Sequence, residues 1–167
     1  MNNKYIVMGV SGSGKSRVGS LLAEHLQVPF FDGDDFHPPE NVEKMRQGIP
    51  LNDEDRHGWL QTLNQLIINE DNLVLACSSL KPQYREQLCH NNDAQLIYLK
   101  GDIETIWSRH SSRKGHYFNG REMLENQFQQ LVEPLPGEAL EIGIDQPVEQ
   151  VIDEILNALE IRSAADN

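Results

Sequence analysis

Eight consecutive residues constrain this chain more than any others: Gly9-Val10-Ser11-Gly12-Ser13-Gly14-Lys15-Ser16. They fit the pattern GxxxxGK[ST], and the pattern has mechanical meaning only between a strand and a helix. That context is present. The apolar run Tyr5-Ile6-Val7-Met8 leads into the motif, and Val18, Leu21, Leu22 and Leu26 follow it at helical spacing. The glycines let the loop wrap tightly with its N–H groups turned inward, which makes an anion nest. A helix beginning near Lys15 adds the positive end of its dipole. Lys15 is then placed to reach the β- and γ-phosphates of a nucleotide, and the Ser16 hydroxyl to ligate Mg²⁺. A Gly/Ser turn that matches by chance would lack the ordered strand and helix on either side.

The rest of the chain repeats the same alternation. Val28-Pro29-Phe30-Phe31 predicts a second strand ending at Asp32, and residues 38–70 predict helix with a stripe of Trp59, Leu60, Leu63, Leu66 and Ile67. Leu73 to Cys77 predicts a third strand, Pro82 to Cys89 a helix, and Gln95 to Leu99 a fourth strand. Asp102 is a predicted cap for a helix carrying Ile103, Ile106, Trp107 and His110. After a break from Arg113 to Gly120 come a helix with Leu124, Phe128 and Leu131, a fifth strand from Ala139 to Ile144, and a final helix from Val148 to Leu159. Short apolar strands alternating with amphipathic helices imply a parallel sheet covered on both faces. Ligands bind such sheets beyond the carboxyl ends of the strands, where the loop motif lies.

At 167 residues the chain fits one domain. That length buries roughly 70% of the surface of the unfolded chain, without help from disulfides or a structural metal. Cys77 and Cys89 are too few for a disulfide framework and stand in no CxxC pair, so a reduced, cytoplasmic protein is expected. No signal peptide or membrane-spanning stretch is read. A formal charge of −12 excludes nucleic acid and anionic membranes as general partners.

Chemistry-bearing residues gather in three further places. Asp32-Gly33-Asp34 follows the second strand, with His37 close behind. Phosphoryl transfer to an alcohol needs a base for the hydroxyl proton and a carboxylate for the metal or its waters. Asp34 is read as the base and Asp32 as the outer-sphere Mg²⁺ residue, joined by a flexible glycine. Asp53 is read as the N-cap of the Trp59 helix. Arg56, in the first turn of that helix, is opposed by the dipole, so it points to an anionic partner such as a substrate carboxylate, or to a salt bridge with Asp53 or Asp55. Arg109 and Arg113 share one helix face and are read as phosphate contacts, Arg113 stabilising the transferring group. Lys114 and Arg121 are read as a solvated basic face.

Together these blocks resemble the gluconate kinases, a branch of the adenylate-kinase-like P-loop kinases. The resemblance rests on Gly9 to Ser16, Asp32-Gly33-Asp34 with His37-Pro38, Asn41, Lys44-Met45, Gly48, Pro50-Leu51, Asp53, Asp55-Arg56 and Trp59-Leu60. Cys77 to Lys81 with Tyr84-Arg85, and Arg113-Lys114-Gly115-His116 with Gln127-Phe128 and Glu133-Pro134, extend it. Gly58 and Tyr117 depart from the family pattern. The resemblance implies a three-layer fold with a five-stranded parallel sheet, an acceptor-binding helical region at about 34–70 and a lid at about 113–121. It implies ATP-dependent phosphorylation of D-gluconate at the 6-hydroxyl by a cytosolic homodimer. Arg56 would meet the gluconate carboxylate, and Asp34, His37 and Ser78 its hydroxyls. A shikimate or nucleoside-monophosphate kinase is the alternative enzyme, and a nucleotide-dependent switch is the alternative outside enzymes.

Overall fold

The computed structural model describes residues 3–111 and 120–165. Five strands, β1 (Lys4–Met8), β2 (Phe30–Asp32), β3 (Leu73–Ala76), β4 (Gln95–Lys100) and β5 (Ala139–Gly143), form one sheet. Their order is β2-β3-β1-β4-β5, and every pairing is parallel. Among the described residues seven α-helices connect and cover them: α1 (Lys15–Leu26), α2 (Pro39–Arg46), α3 (Asp53–Asn69), α4 (Pro82–Leu88), α5 (Ile103–Ser111), α6 (Gly120–Gln130) and α7 (Val148–Ala165).

The central strand shows why the sequence folds this way. Both faces of β1 are buried, and its side chains alternate between two cores. Val7 packs with Val18 and Leu22 of α1, Ile106 of α5, Leu124 of α6 and Val151, Ile152 and Ile155 of α7. Ile6 and Met8 pack on the opposite side with Trp59, Leu60, Leu63 and Ile67 of α3 and Leu88 of α4. The chain moves from β1 to one side of the sheet for β2 and β3, then crosses β1 to reach β4. That reversal opens a crevice at the carboxyl ends of β1 and β3.

Two expectations are corrected. The helix predicted over residues 38–70 is two helices, because Gly48 turns the chain at φ 75° and Pro50 follows. The N-cap of α3 is Asn52, not Asp53. Asn52 is extended, its side chain accepts from the Asp55 amide at 2.8 Å, and the Asp55 carboxylate accepts from the Asn52 amide at 3.0 Å. Asp102 does cap α5, accepting from the Thr105 amide at 2.7 Å.

Candidate active site

The phosphate loop runs from the end of β1 into α1. Gly14 sits at φ 91°, a left-handed conformation that costs a glycine nothing, and it directs the chain into the helix at Lys15. The amides of Gly12, Gly14, Lys15 and Ser16 find no backbone acceptor among the described residues. The Ser13 hydroxyl is buried, also without a partner among them. A cluster of unmatched donors at a helix N-terminus fits a polyphosphate. One loop amide is matched from far away: Ser11 donates to Gln127 Oε1 at 2.6 Å, across 116 positions.

Beside the loop, the Ser16 hydroxyl donates to Asp32 Oδ2 at 2.7 Å. The other Asp32 oxygen accepts from the Asp34 amide at 3.0 Å and caps the 3₁₀ turn Gly33–Phe36. A hydroxyl and a carboxylate this close suit Mg²⁺, which keeps several waters and takes few protein ligands. Gly33 is not the flexible joint expected. It is buried, and a Cβ there would lie 2.9 Å from the Ala76 carbonyl oxygen. Glycine is needed for close packing of this turn against β3, and Trp59 Nε1 donates to the Gly33 carbonyl at 2.7 Å from the other side.

A cavity of about 650 Å³ opens next to this turn. Its walls are the α2–α3 connection from Gly48 to Leu51, Arg56 and Trp59 of α3, Cys77 to Leu80 after β3, Tyr84 of α4, and the α6 face around Gln127. Arg56 and Ser78 therefore line it. His37 does not, but it stacks on the lining Trp59 with ring centroids 4.2 Å apart and planes within 15°. Burial holds the His37 pKa below its ordinary value, against the pull of the Asp34 carboxylate; the Arg56 charge lowers it further. The Cys77 thiol is pushed up to about 11 by burial, and both Lys15 and Asp34 act on it electrostatically. Lys15 follows β1 and Asp34 and His37 follow β2; none of the three lines the cavity, but the Gly9 amide donates to the carbonyl of the cavity-lining Ser78 at 3.3 Å, which joins the phosphate loop to the segment after β3.

Arg56 forms a long ion pair with Asp53 at 4.0 Å, one of the two pairings its sequence neighbours allow, and its Nη1 donates to the Tyr84 hydroxyl at 3.2 Å. Asp55 is taken by Lys44 at 2.7 Å. Arg109 borders a smaller hollow of about 110 Å³ with Gly12, Ser13 and Gly14 on one side and Val148 and Val151 on the other. Arg121 is bound to Glu104 at 2.6 Å and to Glu125 at 3.2 Å, in keeping with a surface role. Arg113, Lys114, Gly115, His116 and Tyr117 lie outside the described residues. A groove between α3 and α4, bordered by His57, Glu86 and His90, contains none of the predicted site residues.

Trp59, Tyr84 and Gln127 join the site without having been assigned chemistry from the sequence. Trp59 reads as one more member of an apolar stripe, and nothing local to Tyr84 or Gln127 announces a partner 31 or 116 positions away.

Residues 11–160 match the family model described as "Shikimate kinase". The chain is 48% identical to the thermoresistant gluconokinase of Escherichia coli (strain K12) over 156 residues, which span 89% of this chain and 88% of that one. The crystal structure of a gluconokinase from Sinorhizobium meliloti 1021 superposes with a TM-score of 0.90 at 34% identity, covering 98% of this chain and 95% of that one. The shikimate kinase of Aquifex aeolicus vf5 gives a TM-score of 0.63 at 20% identity, a likeness of fold alone. The broad family model and the closer relatives agree on the architecture, and the identity separates them. With that identity over most of its length, and with their fold, the chain belongs to the gluconokinase family of P-loop kinases.

Proposed function

We propose that this protein transfers the γ-phosphoryl group of ATP to the 6-hydroxyl of D-gluconate, giving 6-phospho-D-gluconate and ADP. The carrying observation is that the phosphate loop is bonded to the wall of the 650 Å³ cavity, Gly9 donating to the Ser78 carbonyl at 3.3 Å and Ser11 to Gln127 Oε1 at 2.6 Å, in a chain so similar to gluconokinases. ATP lies with its phosphates on Gly9 to Ser16, Lys15 neutralises charge on the β- and γ-phosphates, and Arg109 approaches from α5. Gluconate occupies the cavity with its carboxylate toward Arg56 and a hydroxyl toward Ser78, and its chain reaches past the lining Trp59 toward His37 and Asp34. Asp34 accepts the proton of the 6-hydroxyl as its oxygen bonds to phosphorus, and the bond from phosphorus to the ADP oxygen breaks. Mg²⁺, held by Ser16 and the waters of Asp32, would neutralise phosphate charge. Arg113 would stabilise the transferring group from a lid at about 113–121.

The reading takes the chain as one kinase domain over residues 1–167, with an acceptor region at about 34–70. Free Cys77 and Cys89 support a cytoplasmic setting, and the family likeness supports a homodimer. Among the described residues no helix is long and apolar enough to cross a membrane.

A coupled ADP-release assay across gluconate, shikimate and nucleoside monophosphates tests the substrate. Turnover on gluconate alone is expected, and preference for shikimate would reverse the assignment. Asp34→Asn is expected to keep ATP binding and lose about 10²–10⁴-fold in kcat, the usual weight of a general base. Full activity in that variant would remove Asp34 from the role.

A further inference from the structure

Arg56 is the cation of the acceptor cavity, and its setting is more elaborate than a surface arginine requires. Tyr84, buried on α4, donates its hydroxyl proton to Asp53 Oδ1 at 2.6 Å. A phenol has one proton to give, and a carboxylate can only accept. The proton is therefore committed to Asp53, and a lone pair on the same oxygen accepts Arg56 Nη1 at 3.2 Å. Lys81 lies 3.7 Å from the same Asp53 oxygen and 5.5 Å from the Tyr84 ring centre. The Arg56 guanidinium carbon is 5.7 Å from that ring.

The Tyr84 hydroxyl is the shared corner of this group: it binds Asp53 at 2.6 Å and Arg56 at 3.2 Å, while Arg56 and Asp53 themselves stay 4.0 Å apart. Lys81, at 3.7 Å, competes with Arg56 for the same Asp53 oxygen. Arg56 Nη1 serves both the Tyr84 hydroxyl and the 4.0 Å pair with Asp53, and Arg56 makes no other hydrogen bond among the described residues, so the rest of its planar fork remains for a ligand. Such a fork matches a carboxylate with two parallel hydrogen bonds. Asp53 is itself held ionised, its pKa lowered chiefly by the Tyr84 hydrogen bond and by Lys81.

We propose that Tyr84 and Asp53 are positioning residues that hold the Arg56 guanidinium toward the acceptor cavity, so that the site selects acceptors bearing a carboxylate over neutral polyols of the same length. This rests on the gluconate reading above. Without the Tyr84 hydroxyl, the guanidinium is free to shorten its 4.0 Å pair with Asp53 to direct contact, which withdraws it from the acceptor.

The test is steady-state kinetics of Tyr84→Phe with D-gluconate and with D-glucitol, which lacks the carboxylate, alongside the Tyr84→Phe/Asp53→Ala double variant. Thermal midpoints of all variants are recorded. Tyr84→Phe is expected to raise the gluconate KM about 10-fold, the scale of one charge-assisted hydrogen bond, with kcat within about twofold. The glucitol kcat/KM should not change. The double variant should recover part of the gluconate KM, because the competing carboxylate is gone. A merely structural tyrosine would lower the midpoint and affect both acceptors alike, with no rescue, and that result overturns the proposal. An unchanged gluconate KM in Tyr84→Phe overturns it too, while leaving the gluconate reading intact. A wild-type chain without gluconate turnover overturns the reading itself, and the proposal with it.

Discussion

His37 shows how much one side chain's role depends on what surrounds it. It stacks on Trp59, its Nδ1 lies 3.3 Å from Asn41 Nδ2, and it feels Asp34 and Arg56. Burial, the largest effect, lowers its pKa below 6.5, so the neutral imidazole prevails at pH 7. The stability consequence has a definite sign. Between the lowered folded pKa and the unfolded value near 6.5, the unfolded chain binds more protons. Stability is therefore full above about pH 6.5 and declines as pH falls through the folded pKa. Urea unfolding at pH 7.5 and pH 5.5 checks this: the decline should shrink in His37→Gln. Asp32 carries a second expectation. It accepts both the Ser16 hydroxyl and the Asp34 amide, so Asp32→Ala unties the proposed base and the metal position together. Half-saturating Mg²⁺ should rise and kcat fall in an activity titration. The Asp-Gly-Asp pattern is legible in the sequence. The stacking of His37 on Trp59, across 22 positions of chain, is not.

At the scale of elements, α3 joins the core to the site. Its buried stripe anchors it on β1 and β3, and its first turns carry Arg56 and Trp59 to the cavity. The capping box at Asn52 and Asp55 fixes where that first turn begins. Asn52→Ala should cost about 1 kcal/mol, read as a shift in the urea midpoint, because it leaves the Asp55 amide without its acceptor. The helical stripe was visible as periodicity, but its cap was displaced by one residue. Asn52 and Asp53 are both good capping residues, and the backbone at Asn52, extended at φ −96° and ψ 178°, decides between them. The turn after β2 is similar. A glycine between two aspartates reads as a flexible joint until β3 and Trp59 are seen closing on it. Gly33→Ala should destabilise by about 1–3 kcal/mol, since the approaching Ala76 carbonyl belongs to the sheet and cannot step aside.

Over the whole molecule, charge and binding are separated in space. Residues 1–121 hold 13 basic and 15 acidic side chains, a net of −2, while residues 122–167 hold one basic against 11 acidic, a net of −10. The part that meets ATP and a sugar acid is almost balanced, and the excess acidity lies mainly on β5, α7 and their flanks. Fluorescence anisotropy with a short DNA duplex at physiological salt should show no binding, since the field there repels polyanions. Because α1 and α7 enclose the phosphate loop and share one core, a ligand on the loop should stabilise the molecule globally. ATP with Mg²⁺ at 100 times its Kd contributes about 2.7 kcal/mol, which should raise the thermal midpoint by about 5–10 °C for a domain of this size. By itself the sequence determined the phosphate loop, the five strands, the amphipathic helices outside residues 38–70 and the family, because turns, caps and hydrophobic periods act over a few residues. Only the tertiary structure decided that Gln127 meets Ser11, that the Tyr84 hydroxyl binds both Arg56 and Asp53, and that Gly33 is packed tight. Those contacts join segments brought together by the sheet order β2-β3-β1-β4-β5, and no local pattern encodes which distant side chain will fill the space left there.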